Sequence, residues 1–144
     1  NNQEFVIRVL ATIVHAQRLY DESDYNWSYE MKGNIAVFRM EGWQGDADEE
    51  LKSASEAYRK VVSQDYIKGN VTLVGADKMP KDYQDYIAKN WADNVNYVDI
   101  ERCAFVSDGL TAMTLKSNVK DRTEDTEIES FDEFEDALNW VQNS

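Results

Sequence analysis

Few residues of this chain have side chains suited to chemistry. Cys103 is the only cysteine and His15 the only histidine. A thiol–imidazole pair must meet within hydrogen-bond reach to make a nucleophile. Cys103, however, lies in the apolar run Cys103-Ala104-Phe105-Val106, where a thiol usually serves as a small buried hydrophobe, and His15 belongs to a segment far upstream. Zinc would have to take most of its ligands from carboxylates, so no metal is expected. Asp46, Asp48 and Glu50 imitate the alternating oxygens of a calcium loop, but Leu51 stands where that loop needs glycine and Ala57 where it needs a bidentate acid. A helix start, whose positive end favours acids, accounts for them better. Neither a Walker-type phosphate loop, a dinucleotide-binding glycine fingerprint nor a serine nucleophile elbow occurs. The expectation is a non-enzymatic domain without a cofactor.

Two constellations are left as candidate binding sites. If Val71–Val74 and Arg102–Val106 are neighbouring parallel strands, Gly75-Ala76-Asp77 and Ser107-Asp108-Gly109 meet at their carboxyl ends, where open α/β sheets hold ligands. Backbone N–H groups of the helix after Gly109, with Ser107 assisting, would suit a carboxylate or phosphate. Ser107 and Asp108 are also capping types, and capping outweighs ligand binding as the reading of both. The second constellation is the aromatic set Trp43, Tyr83, Tyr86 and Trp91, either the lining of an apolar cleft for a small amphipathic ligand or plain core filling.

The elements that would position these groups follow from periodicity. Residues 3–20 carry polar side chains at helical spacing, with Phe5, Val6, Val9, Leu10, Ile13, Val14 and Leu19 on a broad apolar surface, although their β-branching suits a strand equally well. Trp27, Tyr29 and Met31 alternate with polar residues as in a strand. Lys32-Gly33-Asn34 tolerates the backbone of a tight turn, and Ile35–Met40 completes a hairpin. Leu51, Ala54, Tyr58, Val61 and Val62 mark the buried face of a helix. Gly69-Asn70 reads as a break before a central strand, Val71–Val74. A helix then starts near Pro80, followed by the strand Arg102–Val106 and a helix through Leu110, Met113 and Leu115. A weak strand at Thr126–Ile128 leads to a terminal helix opened by the capping-box-like pair Asp132 and Glu135. Such alternation predicts an α/β domain with a mainly parallel sheet, an N-terminal β-hairpin and covering helices. Residues 1–22 are expected as an added N-terminal helical extension to an α/β domain of residues 23–144.

This order, together with Arg102-Cys103-Ala104-Phe105-Val106-Ser107-Asp108 and the closing stretch Phe131 to Trp140, resembles the SpoIIAA-like branch of the STAS superfamily. The resemblance implies the STAS fold and a module that binds proteins. It also implies distant likeness to lipid-carrying SEC14 domains. Relatives that antagonise anti-sigma factors carry a phosphorylated serine or threonine at the start of the second helix. Here no serine or threonine occurs between Val74 and Ser107, so that switch is not expected.

Charge and length bound the partners. Twenty-eight acids against 15 bases give a formal charge of −13 over 144 residues, which repels nucleic acid and anionic membrane surfaces, and no basic cluster offsets it. No apolar run is long enough for a membrane span, and Glu4 and Arg8 interrupt the first apolar segment, so a cytoplasmic address is expected. The partners expected are another protein, a second copy of the chain, or a small amphipathic ligand.

Overall fold

The computed structural model describes residues 27–40, 47–75 and 81–143, with side chains in the second and third stretches from Glu49 and Asp85 onward. The anticipated N-terminal helix lies outside them. Five strands form one sheet in the order β1 (Trp27–Lys32), β2 (Ile35–Met40), β3 (Gly69–Val74), β4 (Arg102–Val106) and β5 (Glu127–Phe131). β1 and β2 are an antiparallel hairpin closed by the Lys32–Ile35 pair, and Gly33 takes the positive φ of 63° at the first turn position. The other neighbours are parallel.

The chain therefore steps across the sheet in one direction. Right-handed crossovers between strands laid down that way put every connecting helix on the same face. α1 (Ala47–Val62), α2 (Lys81–Val98) and α3 (Thr111–Lys120) accordingly share one core with Ala36, Phe38, Cys103 and Phe105. The opposite face is left to α4 (Phe134–Gln142), whose Ala137 and Val141 pack on Val37, Val71 and Ala104. Covered on both faces, β2 and β4 are almost continuously apolar and buried. Full burial of Tyr58 and Phe38, whose rings are tilted at 58° with centroids 5.3 Å apart, contributes roughly 1.5–3 kcal/mol for each large side chain.

Three boundaries differ from the sequence reading. β3 begins at Gly69 rather than Val71, because Asn70 is accommodated inside the sheet by donating to the Ala36 carbonyl at 2.9 Å. β5 runs on to Phe131: as an edge strand it tolerates Glu127 and Glu129, which lower its apolar signal and discourage pairing with another chain. α4 starts after Glu133, an extended residue at its N-cap that makes no side-chain capping bond. Asp132 is thus not the cap, and it turns up instead at the strand ends. Arg102 secures the other end of α4, since its Nη1 donates to the Trp140 carbonyl at 2.6 Å and its Nε to Glu127 at 2.9 Å.

Candidate functional site

Because β2, β3, β4 and β5 are parallel, their carboxyl ends form one rim. On the sheet face occupied by α4, just beyond that helix's start, a cleft of about 300 Å³ opens between Arg39, Leu73, Gly75, Ser107, Asp108 and Asp132. Gly75, Ser107 and Asp108 are thereby brought together. Gly109 sits next to them in a turn with φ of 87° but outside the lining, and Asp77 lies outside the described residues.

At this rim Ser107 takes the capping role that the sequence reading set above an anion cradle. The Ser107 hydroxyl accepts a hydrogen bond from the Ala112 N–H at 2.8 Å, so the serine caps α3 from a distance and the donor is spent. Leu110, the N-cap residue by position, supplies no side-chain bond. Asp108 and Asp132 outnumber Arg39, whose Nη2 already pairs with Glu30 at 2.9 Å. Ligand crevices of open α/β sheets form where the strand order reverses, and among the described strands it does not reverse.

The aromatic set separates. Trp91 is 2% exposed and packs against Tyr58 with centroids 4.8 Å apart. It borders an interior void of about 10 Å³ shared with Met40, Thr72, Ile87, Phe105 and Leu115, roughly the room of one water. Tyr86 is 44% exposed and lines a different space, the groove between α1 and α2. Five residues apart on one helix, the two point about 140° away from each other. Trp43 and the side chain of Tyr83 lie outside the described residues.

Cys103 is enclosed completely. Its Sγ donates to Asn70 Oδ1 at 3.4 Å, and burial pushes the thiol up to about 12. Tyr58, fully buried beside it, is raised as well, chiefly by burial and then by the cysteine's charge. Neither group is an available nucleophile or base at neutral pH. Both folded values lie above the ordinary ones, so their contribution to stability is complete below the unfolded values and falls as the pH rises toward the folded ones. The native protein is expected to resist an aromatic disulfide reagent at pH 8, with labelling only on unfolding, and to lose stability above about pH 9. Rapid stoichiometric labelling of the folded protein would contradict the burial of Cys103.

Among the described residues no group of three or more His, Cys, Asp or Glu side chains is arranged to hold a metal ion, and no helix is long and apolar enough to cross a membrane. Comparison with family models, curated proteins and solved structures finds no match to this chain.

Proposed function

We propose that this chain is a non-enzymatic, STAS-like interaction module that docks on a protein partner or on a second copy of itself. The observation that supports it most is an apolar pair at the start of α3: Leu110 is 73% and Met113 55% exposed. One helical turn apart, they share a face beside the acidic rim at Asp108, an apolar centre with a polar edge of the kind protein interfaces use. The hairpin followed by strictly alternating helices and parallel strands supports the STAS-like reading of the architecture. The alternative, a carrier of a small amphipathic ligand, ranks second because the void beside Trp91 has room for no such molecule.

Native mass spectrometry of the protein taken from its own cells tests the choice. A homodimer or a defined protein complex is expected, and Leu110→Asp with Met113→Asp should weaken it about 10- to 100-fold, as losing interface anchors does. A monomer retaining a small molecule in constant ratio would replace the module by the carrier.

A further inference from the structure

The groove between α1 and α2 has a volume of about 430 Å³, more than the cleft at the strand ends. On α1 it takes Lys52, Ser55, Glu56 and Arg59, which recur at three- and four-residue spacing beside the buried stripe of Leu51, Ala54 and Tyr58. On α2 it takes Tyr86, Asn90 and Asn94, four residues apart each time. Two helices usually meet through apolar side chains; the outer half of this seam is polar on both sides.

At its floor Asn94 is only 1% exposed. Its Oδ1 accepts from Arg59 Nε at 2.8 Å, and its Nδ2 donates to Ser55 Oγ at 2.9 Å. A buried amide with both functions satisfied fixes whatever it holds. Arg59 is held a second time, its guanidinium lying 4.7 Å from the centroid of the Tyr97 ring. The side chain is immobilised, yet neither Nη atom has a hydrogen-bond or ion-pair partner among the described residues, in a chain with 28 acids. Ser55 Oγ serves as acceptor toward Asn94, which leaves its own proton to donate.

We infer that this groove binds a small organic carboxylate, held by the two Nη groups of Arg59. A guanidinium fixed at Nε and stacked on a ring presents its remaining N–H groups in the plane and spacing of a carboxylate, and little rotamer freedom remains to be lost on binding. The volume matches that of ordinary small-molecule sites. The exposed ring of Tyr86 gives the ligand's apolar body a wall, and the Ser55 hydroxyl a second donor. Glu56 on the same lining disfavours a doubly charged phosphate and leaves a single negative charge as the better fit. This site is separate from the Leu110–Met113 surface and does not depend on its role.

Phenylacetate is a suitable probe, titrated into ¹⁵N-labelled full-length chain while the side-chain signals of Arg59 Nε and Asn94 Nδ2 are followed. Saturable shifts with a Kd of about 1 mM or tighter are expected. Arg59→Lys keeps the charge but not the fork and should bind about tenfold more weakly; Lys52→Gln at the rim should change binding by no more than about threefold. Circular dichroism and melting temperature verify that each variant is folded, and Arg59→Lys suffices if a more drastic change is not. Shifts that fail to saturate by about 20 mM, equal binding by Arg59→Lys, or equal displacement by inorganic phosphate would overturn the assignment. So would an acidic peptide binding more tightly than phenylacetate, since the carboxylate would then belong to a protein.

Discussion

Gly69→Val is expected to destabilise the protein by more than about 3 kcal/mol, and Gly69→Ala by about 1–3 kcal/mol, as overpacking of a tight core does. Gly69 is the first residue of β3, in register between Ile35 of β2 and Arg102 of β4. The cause is not backbone freedom, since its φ is not among the positive ones. A Cβ there would collide with Val141 Cγ1 and come within 3.0 Å of the Arg102 carbonyl oxygen. Val141 is 1% exposed and belongs to the only helix covering that face among the described elements, so it cannot swing away without lifting α4 from the sheet. Urea unfolding of the single variants measures the cost. The double variant Gly69→Ala with Val141→Ala should recover part of it, because the smaller side chain vacates the space the new methyl needs. A Gly69→Ala cost within about 0.5 kcal/mol of zero, the range of ordinary surface changes, would mean that α4 does not pack this closely.

Gly69 also shows where sequence reading stops. Glycine followed by asparagine is a turn signal on local grounds, and only the helix 65 residues or more downstream (Phe134 onward) explains why glycine is needed inside a strand. Where the signal is local, the reading was sufficient. The alternation from Trp27 to Met31, the turn at Gly33 and the buried stripe Leu51, Ala54, Tyr58, Val61 and Val62 all appear as the periodicities require. The meeting of Gly75, Ser107 and Asp108 followed from parallel pairing alone. Their chemistry did not, because the competition between capping α3 and holding an anion is decided by where the Ser107 hydroxyl points. Tyr86 and Trp91 look like one aromatic cluster in sequence, yet a five-residue step separates their faces. Arg59 and Asn94 give no sign of each other at 35 residues' distance, and neither type is unusual on a helix surface. The STAS resemblance rests on the order of elements and two packing stretches, which bear on the fold far more than on any activity.

Asn70→Asp should be the most pH-dependent change in the molecule. Asn70 is 0% exposed in the central strand. Its Nδ2 donates to the carbonyls of Ala36 at 2.9 Å and Val71 at 3.3 Å, while its Oδ1 accepts from Thr72 Oγ1 at 3.0 Å and Cys103 Sγ at 3.4 Å. Aspartate is nearly the same shape but places a second oxygen against those two carbonyls. Ionised, it would be repelled by both and stripped of water, with no cation described near it; protonated, its O–H can replace one of the two lost donors. Burial therefore raises its folded pKa well above the unfolded value of about 3.9, as with other buried acids that reach about 8–9. A raised acid contributes least penalty below its unfolded pKa and a growing one as the pH climbs toward the folded value. Relative to wild type at each pH, the variant should lose about 1 kcal/mol near pH 4 and about 4–5 kcal/mol at pH 7, at about 1.4 kcal/mol for each pH unit between. Asn70→Leu, which carries no proton to titrate, should show a cost that does not change over that range. Parallel urea titrations at four pH values distinguish the two. A constant penalty for Asn70→Asp would mean that water reaches this position, and with it the floor of the core between β3 and the three helices.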